Sequence, residues 1–344
     1  MCQGSVPEYF VFKQSPPELP PRSLTSRFLV QSEEHDPHTL KKEYSVSKTA
    51  PCPIIDAHVH AFTGPYAHKN GIARDLNKFL AATVDDMNRR YSSKQTDVSR
   101  PRQRVASGLA TVMPGEPGAK DILAEAFTTL RLSGIKMHSH VQCVPANHSS
   151  MDEVYDTCVR FDKPVLIHAG KEPNSSAYKV DAGKICDVSI VEDVLTRYPN
   201  LRICVPHLGM NQYQEFFDLL DRFPNLYLDT TMTLASFFQS MEDDKPLAQM
   251  MRIMIIKHSD RILYGTDWPN IPYDWSRELA NLIGLIDGDG EATSDKTAQG
   301  DERGLKRTVE GDNALERILW RNASAFYGIT ESDIGYNSRN QSML

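Results

Sequence analysis

A regular alternation of short apolar runs with amphipathic stretches begins near residue 52 and continues almost to the end of the chain. Each run has the length of a buried strand, and most of the runs end in a histidine or another ionisable residue. The seven runs are 53–58, 105–113, 134–138, 164–168, 201–207, 226–230 and 261–267. The stretches 121–132, 151–161 and 189–198 predict helices between them. Strands that alternate with helices indicate βα units and a parallel sheet, so we expect a (β/α)8 barrel.

A barrel of eight strands needs one strand more than these seven, and it should lie within residues 61–104. The strongest pattern in that stretch is helical, from Arg74 to Arg90. We therefore expect the missing strand to be short or irregular, and the barrel to be distorted at that point.

The length of 344 residues accommodates one barrel of about 250 residues with extensions. Residues 1–50 are rich in proline and turn-forming residues and predict an N-terminal extension. The barrel is expected over residues 51–330, with a flexible, solvated insertion at 287–311. A last helix over 313–327 should pack on the barrel, and residues 331–344 form a C-terminal tail.

The charge balance argues against partners that recognise basic surfaces. Lysine and arginine number 38 against 45 acidic residues, a net charge of −7, and no basic cluster stands out. We expect neither nucleic acid nor a membrane surface as a partner. No signal peptide and no apolar run of transmembrane length is seen. The six cysteines form no Cys-x-x-Cys pair, so we expect reduced thiols, with Cys158, Cys186 and Cys204 buried, and a cytoplasmic location.

Ionisable residues fall at the carboxyl ends of the predicted strands, and in a parallel barrel these ends share one rim where active sites form. They are His58, Lys136, His138, His168, His207 and Asp267. His58 and His60 are two residues apart, so on a strand they face the same side and can chelate an ion. With His168 and Asp267 they make a nitrogen-rich site that suits Zn2+, with Mn2+, Fe2+ and Co2+ as alternatives.

Each of these signals is weak alone. A single histidine at a strand end is usually a hydrogen-bonded structural residue, and Asp267 could cap a helix. Their joint placement on successive strands favours a metal site. Asp56 has the same strand parity as His58 and could orient a ligand imidazole.

Five segments together resemble the amidohydrolase superfamily, most closely the branch that contains aminocarboxymuconate-semialdehyde decarboxylase and related metal-dependent hydrolases. The segments are Ile55–His60, Gly134–His138, Leu166–Gly170, Val205–Gly209 and Tyr264–Pro269. The resemblance covers about residues 52–330. It implies that one divalent transition metal, with Zn2+ as first choice, is bound by His58, His60, His168 and Asp267. It also implies that His207 is catalytic, with Asp267 accepting a proton from water.

The resemblance leaves a second metal open, bridged by a carboxylated Lys136, and we favour a single ion. The expected activity is metal-dependent hydrolysis of an amide, ester, lactone or activated C–C bond in a small organic molecule. Nonoxidative decarboxylation of an aromatic or muconate-type acid is the first alternative, and a noncatalytic or metal-free barrel is the second. An organic acid suits a pocket near Lys136, His138 and His140, and a homodimer is compatible with the sequence.

Overall fold

A computed structural model describes residues 54–58, 72–94, 106–171, 180–234, 245–267, 276–287 and 309–334. Its strands form one sheet in the order β1-β2-β3-β4-β5-β6, and every neighbouring pair is parallel. The strands are β1 Leu109–Ala110, β2 Gly134–His138, β3 Val165–His168, β4 Ile203–Val205, β5 Leu226–Asp229 and β6 Ile262–Leu263. Sequential parallel strands joined by helices are the architecture expected of a (β/α)8 barrel, which confirms the predicted fold.

One helix precedes β1, and the others connect the strands or follow the last one. They are α1 Ala73–Lys94, α2 Ala119–Thr128, α3 Ser139–Gln142, α4 Asp152–Arg160, α5 Ala182–Ile185, α6 Val188–Arg197, α7 Tyr213–Arg222, α8 Lys245–Lys257, α9 Ser276–Asp287, α10 Val309–Glu316 and α11 Asn322–Tyr327. Short turns of other helical types lie at Ser149–Met151, His207–Gln212 and Arg317–Arg321. Within the described ranges, no helix is both long enough and apolar enough to cross a membrane.

The sheet does not close into a full circle over the residues that the structure describes. The extended segment 54–58 runs beside β6, where the Ala57 N–H donates to the carbonyl of Tyr264 at 2.9 Å. It therefore takes the place next to the last strand that the first strand of a barrel occupies. The predicted helix Arg74–Arg90 is confirmed as part of α1. The rest of the stretch where the missing strand was expected, 61–71 and 95–104, lies outside the described residues.

The strands are buried on both sides, and alternate side chains divide between two apolar clusters. Ile135, Val165, Ile203 and Leu228 belong to the larger cluster, which also contains the buried faces of the helices. Leu166, Cys204 and Leu263 belong to a smaller cluster with Phe326 of α11. Because successive strand residues point to opposite sides, the second set faces the interior of the barrel. His168, two residues after Leu166 on β3, therefore also faces that interior.

The last helical segment covers the other end of the interior. Tyr327 of α11 donates its hydroxyl to the carbonyl of Ala57 at 3.1 Å. The predicted helix over 313–327 is present, but helical structure begins earlier, at Val309, and includes a π turn. Residues 309–311, placed in the expected insertion, are thus helical, and residues 288–308 lie outside the described residues.

Helix ends follow local chemistry. Asp187 caps α6 by accepting the Ser189 N–H at 3.0 Å, and α11 stops at Gly328, whose φ of 68° suits a residue without a side chain. The predicted helix 121–132 ends sooner, at Thr128, because Arg131 has a φ of 56° and turns the chain into β2. Cys158, Cys186 and Cys204 are buried free thiols, as predicted.

Candidate metal centre at the carboxyl ends of the strands

The register of β2 and β3 brings two histidines together at the rim. His138 pairs with His168 across the two strands, so the two side chains lie side by side on the same face of the sheet. Their rings stack at 4.2 Å between centroids. The strand ends there, and His140 of the following α3 brings its ring to 4.4 Å from His138 and 5.0 Å from His168. These three residues are called the imidazole cluster below.

A side-chain clamp holds α3 in this position. Gln142 accepts the backbone N–H of His138 at 2.8 Å and donates to the carbonyl of Val112 at 2.9 Å. The turn after β2 is thus tied to the chain that follows β1. His140 consequently enters the rim from a helix, not from a continued strand as its spacing from His138 would predict.

His58 lies across the rim from the imidazole cluster. Close backbone packing against the chain after β6 holds it there. The Asp267 N–H donates to the carbonyl of His58 at 2.7 Å. Gly265 makes this approach possible, since a Cβ added there would lie 2.5 Å from Thr231 Cγ2 and 3.1 Å from His58 Cβ. The predicted ligands His58 and Asp267 are therefore brought together by main-chain contacts.

The imidazole of His58 has a different acidic partner on each ring nitrogen. Nδ1 lies 3.1 Å from Asp229 Oδ2, and Nε2 lies 3.3 Å from Asp267 Oδ1. The Nζ of Lys136 is 3.1 Å from the same Nε2. The carboxylate of Asp229 accepts the Nδ1 proton, so the Nε2 lone pair faces Lys136 and the cavity. This is the tautomer that a metal ligand needs.

Electrostatics favour the neutral form of this histidine. Burial, reinforced by the nearby Lys136, lowers the pKa of His58 to about 4. Burial also lowers the pKa of the Lys136 ammonium, against the attraction of Asp267 and Asp229. The pKa of His168 is likewise lowered by burial and then by the positive charge of its neighbours. The nitrogens of His58 and His168 are therefore available as lone pairs at neutral pH.

Asp229 organises this side of the rim, although the sequence reasoning did not select it. Its Oδ1 accepts three donors, the N–H groups of His207 at 3.1 Å and Thr231 at 3.0 Å and the Thr231 hydroxyl at 2.5 Å. Burial raises the pKa of this carboxyl, but its interaction with His58 and the hydrogen bonds from His58 and Thr231 outweigh burial and keep the pKa below its ordinary value. Its signal was present, since Asp229 is the one ionisable carboxylate of the predicted run 226–230 and lies next to its last residue.

His207 completes the group on a strained turn. Its Nδ1 lies 2.8 Å from the carbonyl oxygen of Thr231, which can only accept, so Nδ1 carries the proton. Its φ is 60°, and Asp267 has a φ of 58°, values that side-chain-bearing residues rarely adopt. Such conformations cluster at functional sites, where the surrounding structure holds them in place. His58, His207, Asp229 and Asp267 are called the carboxylate cluster below.

Among the described residues, Asp56 contacts backbone N–H groups and the Thr266 hydroxyl, and not the imidazole of His58. Its carboxylate accepts the Thr266 N–H at 3.0 Å, the Thr266 hydroxyl at 2.6 Å and the backbone N–H of His58 at 3.3 Å. All three contacts fix the chain of β6 beside residues 54–58. Asp229 from β5 is the carboxylate that lies against the His58 imidazole. The other predicted ligand of this segment, His60, lies outside the described residues, so an orienting role of Asp56 toward it stays a prediction.

Of the predicted site residues, His58, His168, His207 and Asp267 meet at one rim, and His60 lies outside the described residues. The His207 ring is 6.0 Å from His58 and 5.1 Å from His168. Two ligands about 2.1 Å from a tetrahedral ion lie about 3.4 Å apart. The separation of 3.3 Å between His58 Nε2 and Asp267 Oδ1 matches that spacing. This pair therefore has the spacing of two ligands of one divalent ion.

Comparison with known proteins agrees with the fold and the motifs. The profile of the amidohydrolase family matches residues 33–329, most of the chain. The match starts 18 residues before the barrel boundary expected at 51. No functionally curated protein matches the chain significantly.

Several solved structures share the fold at low sequence identity. A 2,6-dihydroxybenzoate decarboxylase in complex with 2,6-dihydroxybenzoate has a TM-score of 0.53 at 15% identity, covering 80% of this chain and 84% of its own. The manganese-bound 5-carboxyvanillate decarboxylase of Novosphingobium aromaticivorans has a TM-score of 0.51 at 16% identity, with 80% and 77% covered. The corresponding enzyme of Sphingomonas paucimobilis has a TM-score of 0.50 at 16% identity, with 80% of each chain covered.

Proposed function

Since the chain belongs to the amidohydrolase family, we propose that this enzyme is a metal-dependent hydrolase of a small organic acid derivative. The observation that carries the proposal is the pairing of His58 Nε2 with Asp267 Oδ1 at 3.3 Å, with His207 beside them. That arrangement supplies metal ligands and a proton acceptor at one point of the rim.

We assign His58, His60, His168 and Asp267 as the residues that hold one divalent ion, with Zn2+ and Mn2+ as the first candidates. A divalent ion at such a site polarises a carbonyl and makes water more acidic. His207 is the residue that moves protons. Because its Nδ1–H is directed to the Thr231 carbonyl, Nε2 holds the lone pair and accepts a proton from water.

Lys136 supports an organic acid as substrate. The side chain is half-buried, and burial lowers the pKa of its amine. A substrate carboxylate placed nearby would favour the charged ammonium and so bind to it. Lys136 also remains the residue that a two-metal site would require in its carboxylated form, which we do not favour.

Decarboxylation is the second candidate. The solved structures with this fold include decarboxylases of hydroxylated benzoates, and one of them carries manganese and a nitrobenzoic acid. Such a substrate presents a carboxylate to Lys136 as the first candidate does, but it loses CO2 instead of consuming water. We also propose a reducing, cytoplasmic setting, because all four cysteines within the described ranges are free.

Both reactions can be tested on one preparation. The protein is stripped with a chelator and assayed with Zn2+, Mn2+ or Co2+ on aryl esters and lactones, and on hydroxybenzoates and 5-carboxyvanillate with CO2 detection. We expect turnover to need added metal, and ester or lactone hydrolysis to exceed CO2 release. CO2 release without hydrolysis would establish the second candidate, and full turnover by the stripped protein would overturn both.

His207→Gln tests the proton-transfer role. We expect a fall in kcat of about 100-fold to 10,000-fold with metal content unchanged, the range typical of lost acid–base catalysis. The matched control is His148→Gln, because His148 is an exposed histidine on the turn before α4. Equal activity in the two variants would remove His207 from the mechanism.

A further inference from the structure

Thr231 lies at the centre of the carboxylate cluster, where the proposed mechanism uses it neither as a metal ligand nor as an acid–base group. The residue is fully buried, with 0% of its surface exposed. Its hydroxyl Oγ1 lies 2.5 Å from Asp229 Oδ1, 2.9 Å from His207 Nδ1 and 3.4 Å from His58 Nδ1. One small side chain is therefore within reach of a carboxylate and both imidazoles.

The single proton of this hydroxyl can serve only one of these groups. An ionised carboxylate can only accept, and Oγ1 makes its shortest contact with Asp229, so the hydroxyl donates to Asp229. The lone pairs of Oγ1 then accept the Nδ1–H of His207, which the Thr231 carbonyl also accepts at 2.8 Å. Since Asp229 Oδ2 lies 3.1 Å from His58 Nδ1, a chain of hydrogen bonds runs from one imidazole to the other.

The turn that carries Thr231 is held from two directions. Thr233 donates its hydroxyl to the Thr231 carbonyl at 3.2 Å. Leu234 of the same turn donates its N–H to Glu278 Oε2 at 3.1 Å, and its carbonyl accepts from Asn281 at 2.7 Å. Glu278 and Asn281 belong to α9, so a helix that follows β6 fixes the turn that follows β5.

The methyl group of Thr231 has a separate contact. A Cβ added at Gly265 would lie 2.5 Å from Thr231 Cγ2, so the methyl packs against the chain after β6. The two branches of the side chain therefore make different contacts, one by packing and one by hydrogen bonding. Serine keeps only the hydroxyl and valine keeps only the methyl, so the two contributions can be separated.

We propose that Thr231 is a positioning residue for His207, whose hydroxyl ties the His207 ring to Asp229 and, through that carboxylate, to His58. Linked hydrogen bonds polarise one another, so a hydroxyl that donates to a carboxylate is a stronger acceptor for the Nδ1–H of His207. The proton is thereby kept on Nδ1 and the lone pair on Nε2. The catalytic consequence rests on the proposed function, whereas the orientation of the ring does not.

Nuclear magnetic resonance of the metal-free, full-length protein tests the orientation without an assay of activity. Histidine labelled with 15N gives the ring-nitrogen resonances, and His207→Gln identifies those of His207. We expect a wide separation between the Nδ1 and Nε2 resonances in the wild type. Thr231→Val should narrow it, because the proton then divides between the two nitrogens, and Thr231→Ser should preserve it. An unchanged separation in Thr231→Val would overturn the proposal.

Kinetics of the metal-reconstituted enzyme test the catalytic consequence. On an ester or lactone that the wild type hydrolyses, we expect kcat of Thr231→Val to fall by about 10-fold to 100-fold, the equivalent of one hydrogen bond that ends on a charged group. KM and metal content should stay unchanged, and Thr231→Ser should keep the wild-type kcat. Thr231→Ser as slow as Thr231→Val would overturn the role of the hydroxyl, and so would a wild-type kcat in Thr231→Val.

Thr157→Val is the matched control, because Thr157 is a buried threonine whose hydroxyl donates within α4 to the Glu153 carbonyl at 2.7 Å. It should leave the His207 resonances and kcat unchanged, and far-ultraviolet circular dichroism verifies that each variant is folded. An absence of turnover in the wild type itself would count against the proposed hydrolase, and the ring-nitrogen resonances would still decide the role of Thr231.

Discussion

The carboxylate cluster and the imidazole cluster lie at the same rim but are oriented by different means. In the carboxylate cluster, side-chain and main-chain acceptors fix the rings, with Asp229 at His58 Nδ1 and the Thr231 carbonyl at His207 Nδ1. In the imidazole cluster, strand register and ring stacking place His138 against His168. In the carboxylate cluster these acceptors select which ring nitrogen carries the proton, and in the imidazole cluster register and stacking set where the two rings lie. We infer that the carboxylate cluster is the better organised for catalysis.

The largest effect should come from removing the carboxylate that faces His58 Nε2. Asp267→Asn keeps the shape of the side chain but removes the negative charge from the proposed metal centre. We expect kcat/KM to fall by about 1,000-fold, because a bound metal contributes several kcal/mol of transition-state stabilisation and about 1.4 kcal/mol is a factor of ten. Steady-state kinetics at saturating metal measure it.

The control for that variant is Asp221→Asn, which changes an exposed aspartate paired with Lys257 on α8. Its activity should equal that of the wild type. If Asp267→Asn retained normal activity while bound metal was unchanged, the carboxylate cluster would lose its catalytic assignment, and the imidazole cluster would become the better candidate.

A smaller effect is expected from the carboxylate that orients His58 without facing the cavity. Asp229→Asn should weaken metal affinity by about 10-fold to 100-fold, the usual result of losing a hydrogen-bond partner of a ligand histidine. Asp56→Asn is the comparison, since Asp56 binds the Thr266 hydroxyl and backbone N–H groups. Metal titration should show near wild-type affinity for it. Equal losses in the two variants would mean that general damage to β5 and β6, not imidazole orientation, is responsible.

The two clusters also differ in how much of each could be predicted from the sequence. Periodicity along the chain predicts the strand ends that carry His58, His168, His207 and Asp267. They lie together because the carboxyl ends of all strands in a parallel barrel share one rim. The helical pattern of residues 74–90 likewise predicts α1. The contact of Asp229 with the His58 imidazole could not be predicted, because strand parity gives the side on which a residue lies but not which strand comes within reach of an imidazole.

The contacts of His140 and Cys186 could not be predicted from periodicity. His140 reaches its neighbours because β2 ends at His138 and a short helix begins, held by Gln142. Cys186 meets His140 through the turn at Gly170, 46 residues along the chain from that histidine. Such contacts depend on loop geometry, which hydrophobic patterns do not encode.

The smallest expected effect concerns a histidine at the other end of the barrel and separates rim chemistry from general stability. His258 is 3% exposed, packs on Phe217 with 5.7 Å between ring centroids, and burial lowers its pKa below 6.5. The unfolded chain then binds the proton more readily than the folded protein, so stability contributed by neutral His258 is lost as pH falls below 6.5. His258→Gln should therefore reduce the loss of free energy of unfolding between neutral and mildly acidic pH, measured by urea denaturation of the metal-free protein.

Asp221, 3.6 Å from His258 Nε2, opposes the lowering of the His258 pKa, which keeps the effect modest. If the free energy of unfolding depends on pH in His258→Gln as it does in the wild type, the acid sensitivity arises at the rim. His58 and His168 lie there and also have lowered pKa values. The two clusters would then set the stability of the whole barrel as well as its chemistry.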